Sequence, residues 1–212
     1  MEIKSKLSPR LPKLPLSIYK SIKIGEAVSK DGENFSIFIG LDKKIVSQLK
    51  TLSLDKKDEE LQKNTGDRKR FGEGSYSDWY KKNRIPFILV HTSTAALAVL
   101  VWFGPKMLGK KSIKYQKSKE LTKEEIELPK DKIENWHTIS YRAYPNFRGK
   151  GLTKKFATSV IEIYMKKFPN IKLWSGIDAR NAASRKLAES LGFKILEKLS
   201  DRKENWLVMV KY

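Results

Sequence analysis

The chain has 212 residues, 40% of them apolar and 10% aromatic, enough for one ordinary domain with a real core and too apolar for a disordered segment. It has no cysteine and only two histidines, His91 and His137, which excludes a disulfide scaffold, a thiolate nucleophile, a cysteine-ligated metal and a histidine-rich metal site. The formal net charge of +20 favours anionic partners such as phosphorylated cofactors, ribosomes, nucleic acid or acidic lipid, although the lysines are dispersed rather than gathered in a basic tract.

In chain order, residues 1–23 carry Pro9, Pro12 and Pro15 among lysines and leucines and read as an N-terminal arm or tail. The first residues lack the apolar stretch of a signal peptide, so a cytoplasmic location is expected. The domain itself is expected over 24–212. It opens with a strand over 35–39 and a helix capped by Asp42 that runs through Leu52. Residues 54–74 are charged and glycine-bearing, a loop with a helical turn, and Ser75 starts a short helix ending near Asn83. Residues 85–105 contain no Asp, Glu, Lys or Arg, a length that would suit a membrane span. The polar His91-Thr92-Ser93-Thr94 divides them, and both halves are rich in β-branched and aromatic residues. They read as two buried strands of a hairpin, with no membrane span.

Residues 106–135 are polar and form a long insertion between strands. A strand over 136–144 is stopped by Pro145. Apolar residues at 152, 156, 160, 163 and 164 predict a helix over 152–167. A strand over 171–177, a helix over 182–191 and strands over 193–199 and 206–210 complete an α/β order without internal repeats.

Arg148-Gly149-Lys150-Gly151-Leu152 lies where a strand gives way to that long helix. Small residues there let backbone N–H groups approach a phosphate, and the helix start adds unpaired donors and the positive end of its dipole. Arg148 and Lys150 add formal charge, so the stretch reads as an anion seat, beyond its service as a strand–helix turn. About thirty residues on, Asn181-Ala182-Ala183-Ser184 begins a short helix, with Asn181 as its N-cap and Gly192 just past its end.

Residues from about 139 to 193 resemble the GNAT superfamily of N-acetyltransferases. The resemblance implies a mixed central sheet with a splayed strand pair, helices on both faces and a long insertion between two strands. It implies that Arg148, Gly149, Lys150, Gly151, Leu152 and Thr153 hold the acetyl-CoA pyrophosphate. Thr153 stands where the family usually has Gly or Ala. Backbone groups of Tyr141 and Ala143 would meet the pantetheine arm, and Asn181 and Ser184 would wall the pantetheine and thiol. The run from Asp178 to Ser184 looks most like the branch of ribosomal-protein alanine and other protein N-terminal acetyltransferases.

The implied activity moves an acetyl group from acetyl-CoA, as cosubstrate and without a metal, to a primary amine of a small molecule or protein, N-terminus or lysine. Many family members protonate the leaving thiolate with a tyrosine seven residues after the asparagine; that position is Ala188 here, so water or Ser184 must serve. His137 is the leading general base, because its unperturbed pKa lies near working pH. Alternation places it with Ile139 and Tyr141 and leaves open which side faces the donor. Ser140 or Asp178 would otherwise act through water. The alternative is a non-catalytic acyl-CoA-binding module, or a polyanion-binding or nucleic-acid-binding one.

Overall fold

A computed structural model describes residues 2–3, 11–109 and 135–212. Among them nine strands form one sheet: β1 (Glu2–Ile3), β2 (Ile22–Val28), β3 (Asn34–Ile39), β4 (Ile85–His91), β5 (Leu97–Pro105), β6 (Trp136–Ala143), β7 (Lys172–Asp178), β8 (Lys194–Ile195) and β9 (Trp206–Lys211). Their spatial order is β1-β2-β3-β4-β5-β6-β7-β9-β8. The helices are α1 (Lys43–Leu54), α2 (Glu59–Asn64), α3 (Tyr76–Tyr80), α4 (Leu152–Lys167) and α5 (Ala182–Ser190), with a π-helical turn, Arg68–Gly72, between α2 and α3.

The charge-free stretch is the β4–β5 hairpin at the centre of the sheet, paired antiparallel from Ile85 with Phe103 to Val90 with Leu97. Its strands are apolar over Ile85 to Val90 and Leu97 to Phe103 because both faces are covered there. Phe87, Leu89, Val99, Val101 and Phe103 pack with α4 and α5 on one face, while Ile88, Val90, Leu100 and Trp102 pack with α1, the π-helical turn and α3 on the other. Such burial contributes about 1.5–3 kcal/mol per large side chain. No helix among the described residues is long and apolar enough to cross a membrane.

Several expectations shift. β2 begins inside the expected arm, and its alternation is broken by a bulge between Lys23 and Gly25, which hides the strand from a period-two reading. The rest of the described arm is pinned to the domain. Leu11, Leu14 and Leu16 pack on the main core, the Tyr80 hydroxyl donates to the Leu16 carbonyl at 2.9 Å, and β1 pairs with β2. The expected loop over 54–74 contains α2 and the π-helical turn. The expected strand over 193–199 shortens to β8 followed by a single 3-10 turn, Glu197–Leu199. Of the insertion, residues 110–134 lie outside the described residues.

The only parallel pairing in the described sheet joins β6 to β7, and only over Trp136–Thr138 with Lys172–Trp174. Past that point β6 continues along β5 to Ala143, and β7 along β9 to Asp178. The two strands therefore part and open a wedge in the middle of the sheet.

Candidate active site

The wedge is the mouth of a cleft of about 420 Å³, lined on its two sides by residues 140–143 and 175–178. Backbone alternation fixes what β6 offers to it. The Tyr144 N–H donates to the Ala98 carbonyl of β5 at 3.1 Å, so the backbone groups of Ala143 and Tyr141 point to the opposite edge, into the wedge. Their carbonyls are already engaged: Arg148 Nε donates to Ala143 at 2.9 Å and Arg142 Nη1 to Tyr141 at 2.7 Å. A carbonyl oxygen has a second lone pair, and the N–H groups face the same opening.

Arg148, Gly149 and Thr153 line the cleft at the glycine turn. Gly151 is the N-cap of α4, at φ 66° and ψ 13°, and Gly149 has φ 74°. Both are left-handed conformations that favour glycine. A Cβ added at either position would meet no atom within 4 Å, so the space over the turn is open. The helix start is bare as well. Asp42, Asp58, Ser75 and Asn181 each accept a hydrogen bond from a first-turn N–H of α1, α2, α3 and α5, whereas α4 has no side-chain cap. The first N–H groups of the longest helix among the described residues are thus left for an anion, with the helix dipole behind them. What the turn offers an anion is backbone and open space.

The two basic side chains of the turn serve differently from expectation. Arg148 Nη1 and Nη2 each lie 2.7 Å from the Asp58 carboxylate, and that hydrogen bonding raises the Arg148 pKa above its ordinary value. Lys150 Nζ lies 3.0 Å from both oxygens of Glu33. Both charges are matched by carboxylates, so Arg148 acts as a brace between the end of β6 and the start of α2. Leu152 places its side chain in the core and contributes only backbone to the turn.

On the far wall, Asn181 caps α5 by accepting from the Ser184 N–H at 2.9 Å, and both residues line the cleft. The Tyr141 hydroxyl donates to the Ser184 carbonyl at 2.9 Å and lies 3.1 Å from Ser184 Oγ. Ala188 is buried in the core and presents nothing to the cleft. Asp178 is held by Arg180 at 2.9 and 3.0 Å.

His137 lies elsewhere, and this corrects its expected place. Its Nδ1 is 2.6 Å from the Tyr164 hydroxyl of α4, its ring stands beside Phe168, and it is not among the residues lining the cleft. Burial, followed by the nearby Arg84 charge, lowers its pKa below the ordinary histidine value.

Sequence reasoning missed the wall formed by residues 60–70. Asp67 there is fully buried and holds two guanidiniums: Arg142 Nε at 2.6 Å and Nη2 at 3.2 Å, and Arg70 Nη1 in close contact. Burial raises its carboxyl, but Arg142 and Arg70 outweigh that and leave its pKa below the usual carboxylate value. Asp58 and Asp67 act on partners 90 and 75 residues away, which no local pattern records. Asp58 alone carried a signal, an acid before Glu59-Glu60-Leu61 that reads as a helix start.

The acetyltransferase (GNAT) domain family matches residues 125–194, the stretch that carries β6, the glycine turn, α4, β7 and α5. That match covers about a third of the 212 residues. Solved structures share its fold. The GNAT domain of S. lividans PAT superposes with a TM-score of 0.57 at 8% identity, over 88% of this chain and 95% of that one. Mycobacterium smegmatis RimJ, in complex with CoA-disulfide, gives 0.56 at 10% identity over 91% and 87%. An aminoglycoside acetyltransferase in complex with coenzyme A gives 0.54 at 12% identity over 83% and 94%. At such identities the likeness is one of fold. No curated protein matches its sequence significantly.

Proposed function

We propose that this protein is a GNAT-type, acetyl-CoA-dependent N-acetyltransferase acting on a primary amine of a small molecule or protein. The observation that carries the reading is the shared cleft. An uncapped helix start with two open, left-handed glycines feeds into a wedge between strands whose edges expose backbone donors. A pyrophosphate on the turn leaves the pantetheine free to run along Ala143 and Tyr141, so that the thioester sits in the wedge. The attacking amine then enters from the wall of residues 60–70.

Acyl transfer to an amine needs alignment, a neutral amine and a donor for the developing oxyanion. The N–H groups of Tyr141 or Ala143 are suited to the last role. Glu60 lines the cleft and, unlike Asp58, has no bidentate arginine partner, its distance to Arg148 being 3.5 Å. We assign to it the amine proton, directly or through water, and to His137 no proton transfer. Ser184 Oγ, steadied beside the Tyr141 hydroxyl, is placed to hydrogen-bond the leaving thiolate, the part Ala188 does not play. The likeness of residues 178–184 to protein N-terminal acetyltransferases makes peptide N-termini the first acceptors to try.

The test is incubation with acetyl-CoA and a panel of amines, following CoA release and the N-acetyl product by mass spectrometry. Transfer to an amine supports the proposal. CoA binding without transfer to any amine would indicate a non-catalytic acyl-CoA module. Absence of CoA binding together with steeply salt-dependent nucleic-acid binding would indicate a polyanion module.

A further inference from the structure

We infer that the acceptor amine also carries a carboxylate, and that Arg70 receives it. The inference rests on the acetyltransferase reading and names the acceptor class of that same cleft. Four arginines stand in or beside the cleft, and three have their donors accounted for. Arg148 is matched by Asp58, and Arg180 by Asp178. Arg142 spends Nε and Nη2 on Asp67 and Nη1 on the Tyr141 carbonyl. Arg70 differs: Nη1 meets Asp67, while Nε and Nη2 donate to no described protein group.

The Arg70 guanidinium is nevertheless fixed. It lies over the Phe71 ring at 5.7 Å and the Trp102 ring at 5.5 Å, and Arg142 lies over Trp102 at 5.0 Å. Two guanidiniums against one buried carboxylate leave one positive charge unmatched on the acceptor wall, away from the glycine turn. Burial lowers the Arg70 pKa, and Asp67 offsets this in part; an incoming anion would offset more. A planar, singly charged carboxylate fits both the charge and the guanidinium edge, whereas a phosphate dianion would overcompensate. The partner of this site is therefore an amino acid or a peptide with an acidic group near its amine.

The experiment compares amino acids and acidic peptides with their carboxamides as acceptors, in the native protein and in Arg70→Gln and Arg70→Lys. The native protein is expected to favour the carboxylates by roughly ten- to hundredfold in kcat/KM, the range set by losing a charge-assisted hydrogen bond. Arg70→Gln should bring that ratio towards one, mainly through KM, Arg70→Lys should keep part of it, and CoA affinity should not change. Equal use of carboxylates and carboxamides overturns the inference while sparing the acetyltransferase reading. So does a loss in Arg70→Gln that falls on CoA affinity. No CoA release with any amine overturns both. If Arg70→Gln does not fold, the native preference decides alone.

Discussion

Replacing Gly151 by valine isolates what the turn does for a ligand. In the free protein the added side chain has room, since no atom lies within 4 Å of its Cβ position. The cost to folding is then backbone strain alone, about 1–2 kcal/mol for a non-glycine residue at φ 66°. Binding should suffer more. The methyl groups fill the open space through which a pyrophosphate reaches the N–H groups at the start of α4. A charge-assisted hydrogen bond contributes about 1.5–3 kcal/mol, so losing one weakens CoA by roughly ten- to hundredfold. Calorimetry of CoA binding measures this directly. Gly32→Val is the control, because Gly32 has φ 81° and equal open space but lies in the β2–β3 turn, not at the start of α4. It should lose similar stability and keep CoA affinity. A folded Gly151→Val protein that binds CoA as tightly as the native one would refute the reasoning.

Asp58→Ala removes both the partner of Arg148 and the cap of α2, and should cost about 2–4 kcal/mol in urea unfolding, below the full cost of a buried pair because Arg148 is partly exposed. Asp58→Asn, which keeps the cap, should cost less; a loss under about 0.5 kcal/mol in Asp58→Ala would show that the brace does not matter. Ser184→Ala keeps the N–H that Asn181 caps and should lower kcat on the order of a hundredfold with CoA affinity intact, whereas unchanged kcat would hand the role to water. His137 has a lowered pKa in the fold, so the unfolded chain binds its proton first as pH falls. Its stabilising contribution is complete above the unfolded value of about 6.5 and is lost as pH drops towards the folded value. His137→Gln should flatten the acid side of a thermal-stability profile below about pH 6.5 and leave turnover near native; a large loss of kcat would restore His137 to the chemistry.

What the sequence made legible was local. The span of α4, the Asp42 cap of α1, the buried hairpin and the glycine turn all follow from period, capping chemistry and glycine spacing. Backbone alternation from Tyr144 turns the backbone groups of Tyr141 and Ala143 towards the wedge. What stayed hidden depends on contacts across the chain. The pairing of Arg148 with Asp58, and the burial of Asp67 between Arg70 and Arg142, join segments that nothing in the sequence brings together. The face His137 takes was not legible, because a strand has two faces and only the packing of Tyr164 and Phe168 decides which one the ring takes.

A crystal structure of the protein with acetyl-CoA tests the account most directly. It should place pyrophosphate oxygens about 3 Å from backbone N–H groups between Gly149 and Thr153, with the thioester between Tyr141 and Ser184 in the wedge of β6 and β7. Acetyl-CoA bound away from this turn, or with its thioester outside the wedge, would contradict it.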